Sequence, residues 1–295
     1  MGGEGDRGVV TTGHGGREPE YARFGASGQC GGLKCPPDSK EMLMALPVSR
    51  SGNPGLNDKT FSSQPRALGR DERMTLQGAI NKSFLLLVVL LAGALWPWSQ
   101  YLATGDASVV GSSILIGALG GFVLALVISF KATMAPYLAI PYAALEGLAM
   151  GGFSALLERR HPGIAIQAVG LTFGVLAVLL VAYSMRLIRA TQQFRSIVIG
   201  ATGAIALLYL VTMVLGLFHV NVPVLNDSTP LGIIVSLVIC GVAALNLVLD
   251  FDLIESGVAQ GAPRYMEWYS AFGLLVTLVW LYLEILRLLS KVRRQ

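Results

Sequence analysis

Across residues 83–287 the chain alternates long apolar runs with short polar breaks, and seven of the runs reach the length of a membrane crossing. A helical crossing of a bilayer core takes about 20 apolar residues. The breaks bracket the runs at residues 83–102, 108–130, 135–157, 164–185, 196–218, 231–254 and 267–290. WPWSQY closes the first run with aromatic side chains suited to a membrane interface. Lys131 ends the second, the segment from Glu158 to Pro162 ends the third, and the polar stretch HVNVPVLNDSTP separates the fifth from the sixth. Breaks this short predict antiparallel neighbours in one bundle. The fold class expected is an all-α membrane protein, a seven-transmembrane-helix bundle over residues 81–295.

Residues 1–80 are of another kind. They are rich in Gly, Ser, Pro and charge and carry no sustained apolar period, so they are expected to form a disordered polar tail. The start MGGEGDRG has no apolar core, which makes the first long run a signal anchor. Composition agrees, since 53% hydrophobic and 14% charged residues with a mean hydropathy of +0.61 exclude an ordinary soluble domain.

The net charge of +4 comes mainly from basic residues in the tail and at the ends of the apolar runs, a topology signal rather than a nucleic-acid surface. Arg66, Arg70, Arg73, Lys82, Lys131, Arg186, Arg189, Arg195 and Arg264 fall on one side, and Arg159 and Arg160 on the other. This predicts a multi-pass protein of the cell membrane with a cytoplasmic amino terminus. Arg287, Lys291, Arg293 and Arg294 run against the rule, because seven crossings place them on the far side.

Chemistry-bearing residues are few. Cys30, Cys35 and Cys240 lack metal-site spacing, and Cys240 reads as a small buried apolar residue. His14, His161 and His219 lie in the tail and between runs, and HExxH, GxSxG and GxxxxGK[ST] are all missing. The expectation is therefore a protein that is not an enzyme and holds no cofactor. The pairs Gly117/Gly121, Gly147/Gly151 and Gly170/Gly174 fit the small-xxx-small spacing of close helix crossings.

A carboxylate deep in a bilayer costs several kcal/mol unless protonated, paired or wet. Four acids therefore become candidates for pH sensing or for an ion path. Glu146 lies well inside the third run, without a basic neighbour in sequence. Asp250 and Asp252 lie near the end of the sixth, where Asp252, like Glu255, reads as solvated. Glu284 precedes Arg287 by one turn, so an i,i+3 ion pair competes with a functional role.

The run PLGIIVSLVICGVAALNLVLDFDLIESG, followed by APRYMEWYSAFGLLVTLVWLYLEILRLLS, resembles the last two helices of the Bax inhibitor-1-like membrane proteins, especially a bacterial branch with a long polar amino-terminal tail. SGNPGLNDKTF, MTLQGAINKS and YAALEGLAMGG extend the resemblance over residues 42–293. It implies a seven-helix fold whose last helix is central and wrapped by the other six. It also implies a pH-sensitive calcium leak, held shut by a proton-sharing pair of aspartates on helices 6 and 7. The helix 6 acid falls on Asp250. Its helix 7 partner falls on Glu284 if LYLE sets the register and on Thr277 if ILRLLS does.

Height separates the two registers. Counting from the turn between the last two runs puts Glu284 roughly 18 Å higher than Asp250 at 1.5 Å per residue, whereas Thr277 nearly matches it. If Thr277 holds the position the di-acid is absent, and Glu146 with Glu284 becomes the closer acid pair. Two function classes follow. One is a cation leak with calcium as permeant ion; the other is a regulatory membrane protein that binds other membrane proteins and transports nothing. Both place the chain in a lipid bilayer and neither involves nucleic acid.

Overall fold

Thr75 opens the first helix, its hydroxyl accepting a hydrogen bond from the Gly78 amide at 3.0 Å. The computed structural model describes residues 73–188, 190–218 and 229–294, all within one unit spanning residues 48–295. The tail up to residue 72, with His14, Cys30 and Cys35, lies outside the described residues, as do Arg189 and His219. Helix α1 is Leu76–Thr104 and α2 is Ala107–Phe130. A 3-10 turn, Ala132–Met134, leads into α3, Ala135–Arg160. Then come α4, Ile164–Ser184, α5, Gln192–Leu217, α6, Pro230–Ala259, and α7, Met266–Val292. All seven are long and apolar enough to cross a membrane.

The turns are made by residues that suit them. Gly105 takes a left-handed φ of 67° after α1, and Asp106 then caps α2, its carboxylate accepting from the Ser108 amide at 2.9 Å. That amide holds the Asp106 carboxyl below the usual carboxylate range. At the next turn Glu158 accepts from the amides of Gly163 at 2.5 Å and Ala165 at 3.0 Å, covering the start of α4.

Two helices exceed the lengths expected from hydrophobicity by more than a turn, for a shared reason. Helix α1 begins at Leu76 rather than 83, and α6 continues to Ala259 rather than 254. In both, the extra turns and the residues beside them carry polar side chains that find partners on other helices. Lys82 pairs with Glu267, Asp252 pairs with Arg195, and Tyr183 donates to Glu255 at 2.5 Å.

Contacts between helix ends fix the alternation of direction. At one end, termed basal, the start of α1 meets the start of α7, and the end of α6 meets the end of α4 and the start of α5. The Met74 amide also donates to the Ala262 carbonyl at 2.7 Å, tying the segment before α1 to the α6–α7 turn. At the opposite, apical end Arg159 of α3 donates to Tyr101 and Gly105 after α1, and Arg293 beyond α7 donates to the Pro162 carbonyl.

Helix α7 is the centre. Buried residues make up 56% of its most apolar window, against 6% for α5. It packs on α1, α3, α4 and α6, while α2 packs on α1 and α3. The wrapping by six helices that the resemblance implied is thus a wrapping chiefly by four. Helix α5 packs on α6 and reaches α7 through Tyr209.

Of the three glycine pairs, two mark close crossings. A Cβ on Gly151 would stand 2.7 Å from the Ala94 Cα, and one on Gly147 would stand 3.1 Å from the Ala94 nitrogen, so α1 and α3 touch backbone to backbone. Gly117 meets Ala149 of α3 in the same way, with Gly121 against Glu146. Gly170 and Gly174 have nothing within 4 Å and mark no crossing.

Candidate functional site

Asp250 is fully buried in α6, with 0% exposure, between apolar neighbours Leu249 and Leu253 that are themselves buried. Because α6 runs on to Ala259, Asp250 stands roughly 14 Å from its basal end. Thr277 is buried in α7 at roughly 17 Å from the same end, and its hydroxyl donates to the Gly273 carbonyl at 3.3 Å. The heights agree. Glu284 lies roughly 27 Å along α7, so its offset from Asp250 is about 13 Å, less than the 18 Å expected but still two turns or more.

Glu284 belongs to a different cluster. Its carboxylate accepts from Arg287 Nη1 at 2.9 Å and 3.0 Å and from the Tyr209 hydroxyl at 2.6 Å, and Arg287 Nη1 also lies 2.5 Å from that hydroxyl. The i,i+3 pair is present, and it also reaches α5. Neither Asp250 nor Glu146 is among the partners of Glu284, so the proton-sharing acid pair drawn from the LYLE register does not form. The conditional pairing of Glu146 with Glu284 does not form either. Glu146 is half-buried on α3, where its Oε2 would lie 2.9 Å from a Cβ on Gly121 of α2.

Asp252 was expected to be solvated at a helix end. It is half-buried and ion-paired with Arg195 of α5. Its neighbour Glu255 accepts from Tyr183 of α4. Among the described residues, no three His, Cys, Asp or Glu side chains stand close enough to hold a metal ion.

A further buried, well-connected acid is one that the sequence did not single out. Glu267, 3% exposed in the first turn of α7, accepts from the Thr75 amide at 2.8 Å and the Thr75 hydroxyl at 2.9 Å and pairs with Lys82. Lys82 also stands 5.3 Å from the Trp268 ring centroid. Both charges stand at the edges of apolar runs in the sequence, Lys82 just before the first and Glu267 at the start of the last, whereas in the fold Lys82 lies inside α1. Lys291, 2% exposed, donates to the Ser236 hydroxyl at 2.8 Å and the Gly232 carbonyl at 3.1 Å at the start of α6. This buried seat removes the hydrated surface position on which the topology count depended for that residue.

These features define a polytopic membrane bundle built round a polar-studded central helix. The sequence model of the family described as Bax inhibitor 1 like matches residues 49–294, and the chain belongs to the Bax inhibitor-1-like family. No curated protein and no solved structure matches the chain.

Proposed function

We propose that the protein is a proton-sensitive cation leak, with calcium as the permeant ion and Asp250 as the group whose ionisation controls it. The observation that carries this reading is the complete burial of Asp250 within a membrane-spanning helix, at the height of Thr277 on central α7. A carboxylate in such a place carries a large solvation penalty, so its charge state couples to any change in helix packing or water entry. Thr277, in place of a second acid, leaves one titrating group rather than a dyad. The same reading assigns no catalytic step, and it sets the basal end in the cytoplasm of a cell-membrane protein.

A second reading is favoured by the occupied states of Asp252 and Glu284. Both hold α5 in place, as the acids of a bundle that only binds other membrane proteins would. Calcium flux in proteoliposomes decides between the two. The leak reading expects flux that changes with pH in the wild type and loses that response in Asp250→Asn. Flux equal to that of empty liposomes at every pH overturns it.

A further inference from the structure

Helices α1 and α4 do not close over α7. Between them lies a cavity of about 470 Å³, lined on α1 from Leu87 to Trp98, on α4 by Val169 and Phe173, and floored on α7 by Leu278. Its hydroxyls are all occupied: Ser154 donates to the Met150 carbonyl at 2.6 Å and bonds to the Tyr282 hydroxyl at 2.7 Å, and Thr172 of α4 donates to the Ala168 carbonyl at 2.8 Å.

Length and position identify what fits. From Leu87 to Trp98 the cavity follows α1 for roughly 16 Å, close to the roughly 15 Å of one leaflet of a 30 Å hydrocarbon core. It lies in the apical half, reaching the first turn of α4 at Ala165 and Ile166. The α3–α4 turn, immediately before that first turn of α4, carries basic residues at the same end. Arg159 is held by Tyr101 and Gly105, and Arg293 by Pro162 and Gln167. Arg160, beside them, is exposed and makes no hydrogen bond or ion pair with the described residues, and His161 Nδ1 is buried with no hydrogen-bond partner among them. The acid of this turn, Glu158, is occupied by the α4 amides.

We infer that this cavity is a binding site for an anionic phospholipid, one acyl chain lying in the α1–α4 cleft against α7 and the phosphate at the Arg160 turn. The inference is independent of ion conduction. The chain fills apolar volume that water would leave empty, and the headgroup meets net positive charge at the apical surface. Bound lipid therefore wedges α1 and α4 apart and covers the exposed flank of the central helix.

Native mass spectrometry of the full chain, released from nanodiscs of mixed phosphatidylglycerol and phosphatidylcholine, tests it. The wild type is expected to retain one phosphatidylglycerol in preference to phosphatidylcholine. Val169→Trp, which fills the cleft, is expected to abolish retention, and Leu91→Trp repeats the test from α1 should the first variant fail to fold. Arg160→Gln is expected to lower the headgroup preference roughly fivefold while leaving the chain bound. Leu119→Trp, on an exposed face of α2, should change nothing. Equal retention in the wild type and the cleft-filled variants, or no headgroup preference in the wild type, means annular lipid only and overturns the proposal.

Discussion

Replacing Lys82 by Met should destabilise the bundle more than replacing Glu267 by Gln, although both changes break the same ion pair. Removing one partner of a buried pair costs about 3–5 kcal/mol, because the other charge is left uncompensated. Glu267 is 3% exposed and cannot reach water, but it keeps two donors from Thr75. That lowers the expected cost of Lys82→Met to about 2–3 kcal/mol. Glu267→Gln leaves a different remnant. The glutamine oxygen still accepts from Thr75, and Lys82, with 17% of its side chain exposed near the start of α1, can extend toward the interface. Its expected cost is about 1 kcal/mol. The double variant has no stranded charge and should cost about 1.5 kcal/mol, leaving a coupling of about 2 kcal/mol in the cycle. Reversible unfolding in mixed micelles, followed by circular dichroism, measures all four corners. A Lys82→Met cost below about 0.5 kcal/mol, or a larger cost for Glu267→Gln, would refute the claim that this pair fastens α1 to α7.

Two further predictions test the packing and a cap. Gly151→Leu should lower stability by about 3 kcal/mol or more, since the side chain would enter the Ala94 backbone, whereas Gly170→Leu, facing open space, should stay within about 0.5 kcal/mol; parallel melts in micelles compare them. The depressed Asp106 carboxyl contributes stability above the unfolded-state value and loses it as pH falls through the folded one. Stability measured from about pH 6 down to pH 3 should therefore decline relative to Asp106→Asn, whose amide caps α2 without titrating, and parallel curves would sink this assignment.

The seven crossings were legible because hydrophobic length is a one-dimensional property of the chain, and a bilayer enforces it. Helix ends were less so. Apolar runs end near charges, but α1 begins ahead of Lys82 and α6 continues past Glu255 once those side chains find partners from distant segments. The same limit explains the acids. Their isolation among apolar residues was visible, and the Glu284–Arg287 pair followed from spacing alone. Which helix each acid faces depends on rotation about the helix axis, and that is set by packing. Glu267 escaped notice because an acid at the start of a run reads as a boundary, although α1 supplies it with three donors.

Helix α5 shows what two of the four stranded acids are for. Arg195, Thr202 and Tyr209 recur every seven residues, so they share one face of the helix with only a slow drift. Each meets a polar group on the bundle. Arg195 pairs with Asp252, Thr202 Oγ1 accepts from Asn246 at 2.7 Å, and Tyr209 donates to Glu284. Val198 and Ile205 fill the positions between them and are buried. In lipid a peripheral helix gains nothing from hydrophobic burial, because tails and neighbouring helices are equally apolar, so association rests on packing and interhelical hydrogen bonds of about 0.6 kcal/mol each. Asp252 and Glu284 are thereby accounted for as the bundle side of a ladder that docks α5. Asp250 and Glu146 have no place in that ladder. Of these two, only Asp250 is completely enclosed, and so the case for a titrating control group narrows to a single carboxyl on α6.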